Sequence, residues 1–253
     1  MKKINLLSIN IHPISKEIIL EQIKKYILNP SGFFHVVSLN PENMVTSQEN
    51  KEFRKVIETG QIQLIDGAGI ALAGKILGFE VERFTGVDLM RELMRLANKL
   101  RLRVVLIGGK PNLALRLAQC YQRAYGQAKF FGLEGIKNIK NPLAPEEENI
   151  FSIVSQFKPH IIFLSFGSPA QELWLDRHKS HFTGIVCMGV GGAFDYLGGV
   201  VPRGPNFIRS LGLEWLFRLS VEPWRWRRQL RLIKFLWLIL KQKTGKSFSS
   251  NFL

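Results

Sequence analysis

Acids are scarce in this sequence, and several familiar arrangements of them are missing. The chain carries 20 Asp+Glu against 35 Lys+Arg, a formal net charge of +15. No Asp-X-Asp occurs, so a Mg²⁺ or Mn²⁺ bridge to a diphosphate lacks its usual carboxylate pair. No paired histidines stand at zinc-ligand spacing. The Gly-Lys-Ser ending of a phosphate loop appears only at Gly245-Lys246-Ser247, without the upstream glycine such a loop requires. The two cysteines, Cys120 and Cys187, each lie in an apolar stretch, which indicates no disulfide framework and fits a reducing compartment. No apolar run reaches the roughly 18 residues of a spanning helix, and the stretch 235–240 is far too short. The apolar run after Met1-Lys2-Lys3 breaks at Asn5 and Asn10 and has no small-residue cleavage site, unlike a signal peptide.

What remains is an alternation of short apolar runs with helical stretches. Residues 3–9, 33–38, 61–65, 103–107, 160–165 and 184–189 read as strands, with 128–131 a weaker seventh. Several are continuously apolar, as strands buried on both faces of a parallel sheet are. Helices are expected at 15–28, 41–58 (broken), 67–77, 86–100, 111–125, 145–157 and 170–179. Thr85 with Asp88 forms a capping-box pattern, Gly60 a helix stop, and Pro111 a first-turn proline. The order predicts an α/β fold, a Rossmann-like three-layer domain with a mostly parallel sheet over 1–200.

Composition changes after residue 200. Residues 203–243 hold ten Lys+Arg against two acids, together with Trp215, Trp224, Trp226 and Trp237. We expect 201–243 to be a C-terminal helical appendage, broken at Pro223, and 244–253 to be a disordered tail. Basic charge mixed with Trp and Leu suits an anionic membrane surface. A nucleic acid is the poorer partner, because the segment lacks polar base readers. An inactive membrane-bound scaffold is the alternative to an enzyme. A dinucleotide-dependent oxidoreductase is disfavoured, since no Gly-X-Gly-X-X-Gly follows the first strand.

Ligands of parallel sheets bind beyond the carboxyl ends of the strands. Polar or glycine-rich clusters fall there at Ser38-Leu39-Asn40-Pro41-Glu42, Asp66-Gly67-Ala68-Gly69, Gly108-Gly109-Lys110, Gly167–Glu172 and Gly189–Asp195. Such glycines let a backbone approach a phosphate, although strand-to-helix turns use them for their own geometry too. Asp66 is the candidate general base, able to take a proton from an attacking hydroxyl, or else a helix N-cap. Asp195 either binds ligand hydroxyls or caps a short helix. Gln171 sits one turn into a helix whose start faces the cleft. Arg218, Arg225 and Arg228, spaced by seven and three, roughly share one helix face at about 100° per residue. They are expected to close over the cleft and meet a diphosphate in place of a metal.

Together these clusters resemble the WecG/TagA/CpsF glycosyltransferases over residues 1 to about 240. The most specific match is Gly212-Leu213-Glu214-Trp215-Leu216-Phe217-Arg218-Leu219 followed by Glu222-Pro223-Trp224-Arg225-Trp226-Arg227-Arg228. The segment Arg83-Phe84-Thr85-Gly86-Val87-Asp88-Leu89 also looks like the family. Ser38 stands where the family usually has threonine, keeping the hydroxyl, and Ala170 stands where it usually has a basic residue. The resemblance implies an inverting, metal-independent transferase with no cofactor. It would move a sugar from a UDP donor to an undecaprenyl-diphosphate-linked acceptor, working peripherally on the cytoplasmic face of the membrane. It implies Asp66 and Ser38 in catalysis, and Asn40, Gly108, Gly109, Gln171, Gly191, Gly192 and Asp195 at the donor. Arg83 is implied at the acceptor, and Arg218, Arg225 and Arg228 at the diphosphate. A homo-oligomer through the core is a further expectation.

Overall fold

The computed structural model describes residues 4–245. The expected tail therefore lies, from residue 246 onward, outside the described residues. The chain opens with an antiparallel hairpin of β1 (Ile4–Leu6) and β2 (Ile9–Ile11). This corrects the single strand expected over 3–9. Leu7 and Ser8 take φ of 49° and 62°, the left-handed pair of a two-residue hairpin turn, without the usual Asn-Gly. Asn5 and Asn10, which break the apolar run, are cross-strand partners on the outer face, while the isoleucines and Leu6 face inward.

Then follow α1 (Lys16–Leu28), β3 (Phe34–Leu39), α2 (Pro41–Glu49), α3 (Lys51–Thr59), β4 (Ile62–Ile65), α4 (Ala68–Leu77) and α5 (Gly86–Lys99). Next come β5 (Arg103–Gly108), α6 (Leu113–Ala124), β6 (Lys129–Leu133), α7 (Ala144–Phe157), β7 (Ile161–Ser165), α8 (Ala170–Arg177) and β8 (Val186–Gly189). The last part is helical: α9 (Ala193–Leu197), α10 (Asn206–Ser210), α11 (Glu214–Val221) and α12 (Trp226–Thr244). The break expected in 41–58 falls at Asn50, whose side chain caps α3 by accepting from the Phe53 N–H at 2.9 Å. Pro111 lies outside α6, which starts behind a left-handed Asn112.

The main sheet has six strands in the order β4-β3-β8-β7-β5-β6, each pair parallel. From β3 the chain steps outward to β4 and then crosses to build β5 and β6 on the other side. That reversal opens a crevice above the carboxyl ends of the central strands. One face of the sheet packs on α1, α5, α6 and α9. The other carries α7 and α8 at one end, and α2, α3, α4 and the hairpin at the other.

α12 belongs to that second layer. Phe235 and Ile239, one helical turn apart, are fully buried among Met44, Ile70 and Ala73. Burial of side chains this size stabilises by about 1.5–3 kcal/mol each. Gln242 accepts from the Leu7 N–H (2.8 Å) and donates to the Asn5 carbonyl (2.9 Å), fastening the helix to the hairpin. Within 201–243, α12 thus completes a core of the preceding domain, whereas α11 buries no residue fully.

Candidate active site

The strand ends and the last helices enclose a cavity of about 1340 Å³. Every site residue expected from the sequence lines it except Gly108. Gly108 sits one residue back, where an added Cβ would stand 2.8 Å from two carbons of the Phe166 ring, so its role is to let that ring pack. Gly109 does reach the wall.

Asp66 follows β4. It does not cap α4, whose N-cap is Gly67 with no side-chain bond. Gly67 takes φ 108°, a backbone shape that L side chains rarely adopt. The Asp66 carboxylate lies instead beside the start of α5, where the Gly86 backbone N–H favours its anion. A Cβ on Gly86 would stand 3.4 Å from Asp66 Oδ2 and 3.8 Å from Ser38 Oγ, so glycine here lets both polar groups converge. Burial pushes the Asp66 carboxyl up to about 6, aided by Glu214 and Asp88 and opposed by Gly86 and Arg83. A carboxylate of that basicity, bordering a cavity, is poised to accept a proton near neutral pH.

The same cavity is lined by a cluster of cations. Arg218 donates to Glu222 (2.6 Å) and Asp195 (3.2 Å), and its guanidinium lies over the Tyr196 ring. Gly192 makes room for it, since a Cβ there would meet the Arg218 Nη1 at 2.5 Å. Asp195 therefore neither caps α9 nor stands free; it also faces Lys110 at 3.7 Å. Arg225 reaches the same Glu222 at 3.5 Å. Burial, then Arg228 and Arg218, depress Arg225 to about 10. Arg228 pairs with Glu42 at 2.7 Å across the seam between α12 and α2.

The remaining expected residues are largely occupied by the protein itself. Asn40 caps α2 by accepting from the Asn43 N–H at 2.9 Å. Gln171 is buried: it accepts from the Gly167 N–H (3.1 Å) and donates to Glu172 (2.7 Å), fixing the turn before α8. A Cβ on Gly189 would collide with its amide at 2.4 Å. Arg83 donates to the Arg209 carbonyl at 3.2 Å. Reading the sequence missed the roles of Glu222, Glu172 and Tyr196. Glu222 was legible as one of only two acids in a strongly basic segment.

The pattern of residues and this geometry agree with the comparison to known sequences: residues 4–249 match the Glycosyl transferase WecG/TagA/CpsF family. The chain belongs to that family. An N-acetylglucosaminyldiphosphoundecaprenol N-acetyl-β-D-mannosaminyltransferase of Bacillus subtilis (strain 168) is 26% identical over 229 residues, covering 90% of this chain and 87% of the relative. The protein of the same description from Bacillus spizizenii is 28% identical over 223 residues, covering 88% and 84%. In this member of the family, a carboxylate pushed up to about 6 and the arginines Arg218, Arg225 and Arg228 thus line one cavity.

Proposed function

We propose that this glycosyltransferase moves an N-acetylmannosamine-type hexose from a UDP donor to an undecaprenyl-diphosphate-linked sugar. It would do so without a metal and with inversion, in synthesis of a cell-surface polysaccharide or teichoic acid. The observation that carries this reading is Asp66, a buried carboxylate pushed up to about 6 that lines one cavity with Arg218, Arg225 and Arg228. In a single displacement, Asp66 takes the proton of the acceptor hydroxyl as its oxygen bonds to the anomeric carbon. The bond from that carbon to the diphosphate oxygen breaks on the opposite face, and UDP leaves with the electron pair. Arg218, Arg225 and Lys110 meet the charge that develops there. Gly109 and Gly191 offer backbone where the diphosphate approaches, and Ser38 supplies a hydroxyl beside the base. The names of the two relatives support the acceptor class.

Access to a lipid-linked acceptor fits the outer side of α11 and α12. Trp224 is 69% exposed and Ile233 65%, and Trp215, Leu216, Trp226, Leu230, Trp237 and Leu240 are exposed as well. Arg227 and Lys241 lie over Trp226 and Trp237. Aromatic and basic side chains so interleaved suit the inner, anionic face of a membrane. Among the described residues, no helix is long and apolar enough to cross one. The test is turnover of a panel of UDP-hexoses with an N-acetylglucosaminyl-diphospho-polyprenol acceptor, followed by assignment of the product anomer. We expect one hexose to be transferred with inversion. No transfer from any UDP-hexose, or retention, overturns the reading.

A further inference from the structure

Arg203, on the loop between α9 and α10, is spent entirely inside the protein; its side chain is 11% exposed. Its Nη1 donates to Asp88 Oδ1 at 2.8 Å and its Nη2 to Asp88 Oδ2 at 3.2 Å, a two-pronged pair. Its Nε donates to Glu214 Oε1 at 3.1 Å. Thus one guanidinium joins the first turn of α5 to the first turn of α11. Asp88 is also the capping partner of Thr85: the Thr85 hydroxyl donates to its carboxylate at 2.6 Å and accepts from its N–H at 3.2 Å. Between them lies Gly86, packed so closely on Asp66 that an added Cβ would stand 3.4 Å from its Oδ2. Just upstream, the Phe84 N–H donates to the Ile65 carbonyl at 3.0 Å, tying this segment to the end of β4.

We infer that Arg203 is a positioning residue for Asp66, clamping the helix start that orients the carboxylate to the first turn of α11. The inference rests on the reading of Asp66 as the base. Two consequences follow from the geometry. Without the clamp, the first turn of α5 loses its tie to α11, and the Gly86 N–H is less firmly aimed. The charged groups that act on Asp66 are Arg83, which favours its anion, and Glu214 and Asp88, which disfavour it. Arg203 pairs with both of those acids. Its removal leaves them unneutralised, so both the displaced Gly86 backbone and the bare acids raise the proton affinity of Asp66.

The experiment compares wild type with Arg203→Gln, Arg203→Lys and Glu214→Gln in the full chain. Two readouts are taken: the pH dependence of turnover, and the titration of Asp66 followed by NMR of ¹³C-carboxyl-labelled Asp, assigned with Asp66→Asn. Arg203→Gln should lower kcat by about 10- to 10²-fold, as a misplaced reacting group does. It should leave the donor KM nearly unchanged and move both the acid limb and the Asp66 titration to higher pH. Lys restores the charge without the fork, so the titration should return while kcat recovers only in part. Glu214→Gln keeps an amide oxygen to accept from Arg203 Nε, so the tie to α11 is retained while one like charge is removed, and the titration should move to lower pH. If Arg203→Gln does not fold, Arg203→Lys judges the clamp: a wild-type kcat in that variant overturns it. A folded Arg203→Gln with wild-type kcat and an unmoved Asp66 titration overturns the inference, as does an Asp66 titration unmoved in Glu214→Gln. If wild type transfers no sugar, the transferase reading fails, while the NMR titration still decides the clamp.

Discussion

Replacing Asp66 with Asn separates what the carboxylate does for chemistry from what it costs the fold. An Asp has an ordinary value of 3.8, and this one is pushed up to about 6. At about 1.4 kcal/mol for each pH unit between those values, burying the charge costs about 3 kcal/mol. The sign follows from proton binding. Between the two values the folded chain holds a proton that the unfolded chain has released, so stability falls as pH rises through about 6. Below the unfolded value both states are protonated and the penalty is absent. Asn keeps an oxygen for the Gly86 N–H and carries no charge to bury. Asp66→Asn should therefore stabilise the protein by up to about 3 kcal/mol above pH 6, with a gain of roughly 5–10 °C in Tm, and by little near pH 4. Turnover should fall by about 10²–10⁴-fold, as for loss of a general base. Denaturant titrations across this range and steady-state rates of the same preparation test both halves. A variant that is no more stable at neutral pH than wild type, or one with wild-type turnover, refutes the reasoning.

Turnover should persist in excess EDTA if, as proposed, the protein's own arginines meet the charge of the leaving group; strict Mg²⁺ or Mn²⁺ dependence would contradict this. Gly192→Ala should drive a methyl group into the Arg218 guanidinium, costing about 1–3 kcal/mol of stability and lowering kcat/KM for the donor, read by thermal melts and initial rates. Phe235→Ala should cost about 3–5 kcal/mol, measured by denaturant unfolding, since the ring is fully buried between α12 and its neighbours. Trp224→Ser should leave Tm nearly unchanged but weaken binding to anionic vesicles by about tenfold or more in a sedimentation assay.

The layered fold was legible because apolar runs and helical periods alternate, and every main-sheet strand follows from that rhythm. The hairpin was not, because Leu7 and Ser8 occupy turn positions where glycine and asparagine are the usual signal, so two three-residue strands read as one. The clustering of the candidate site was legible from glycine and acid at strand ends. Its internal partnerships were not. Gln171 and Asn40 look like ligand-facing amides in sequence, yet their hydrogen bonds tie down turns and helix starts. Arg203 counted only as one charge among ten, because its partners Asp88 and Glu214 are brought to it by the fold from 115 positions upstream and 11 downstream. The expectation that residues 201–243 form an appendage came from composition, which registers Trp and Arg but not which face of α12 meets Met44 and Ile70.

The fastening of α12 to the hairpin also constrains how the molecule comes into being. Gln242 meets backbone groups 235 and 237 positions earlier in the chain. Because a polypeptide is made from its N-terminus, the hairpin must wait for some 235 further residues before this packing partner emerges. Arg228, on that same helix, reaches Glu42 only then. The nascent chain thus makes Asp66 early and the arginines of the same cavity last, so a prematurely released fragment would hold Asp66 without Arg218, Arg225 and Arg228.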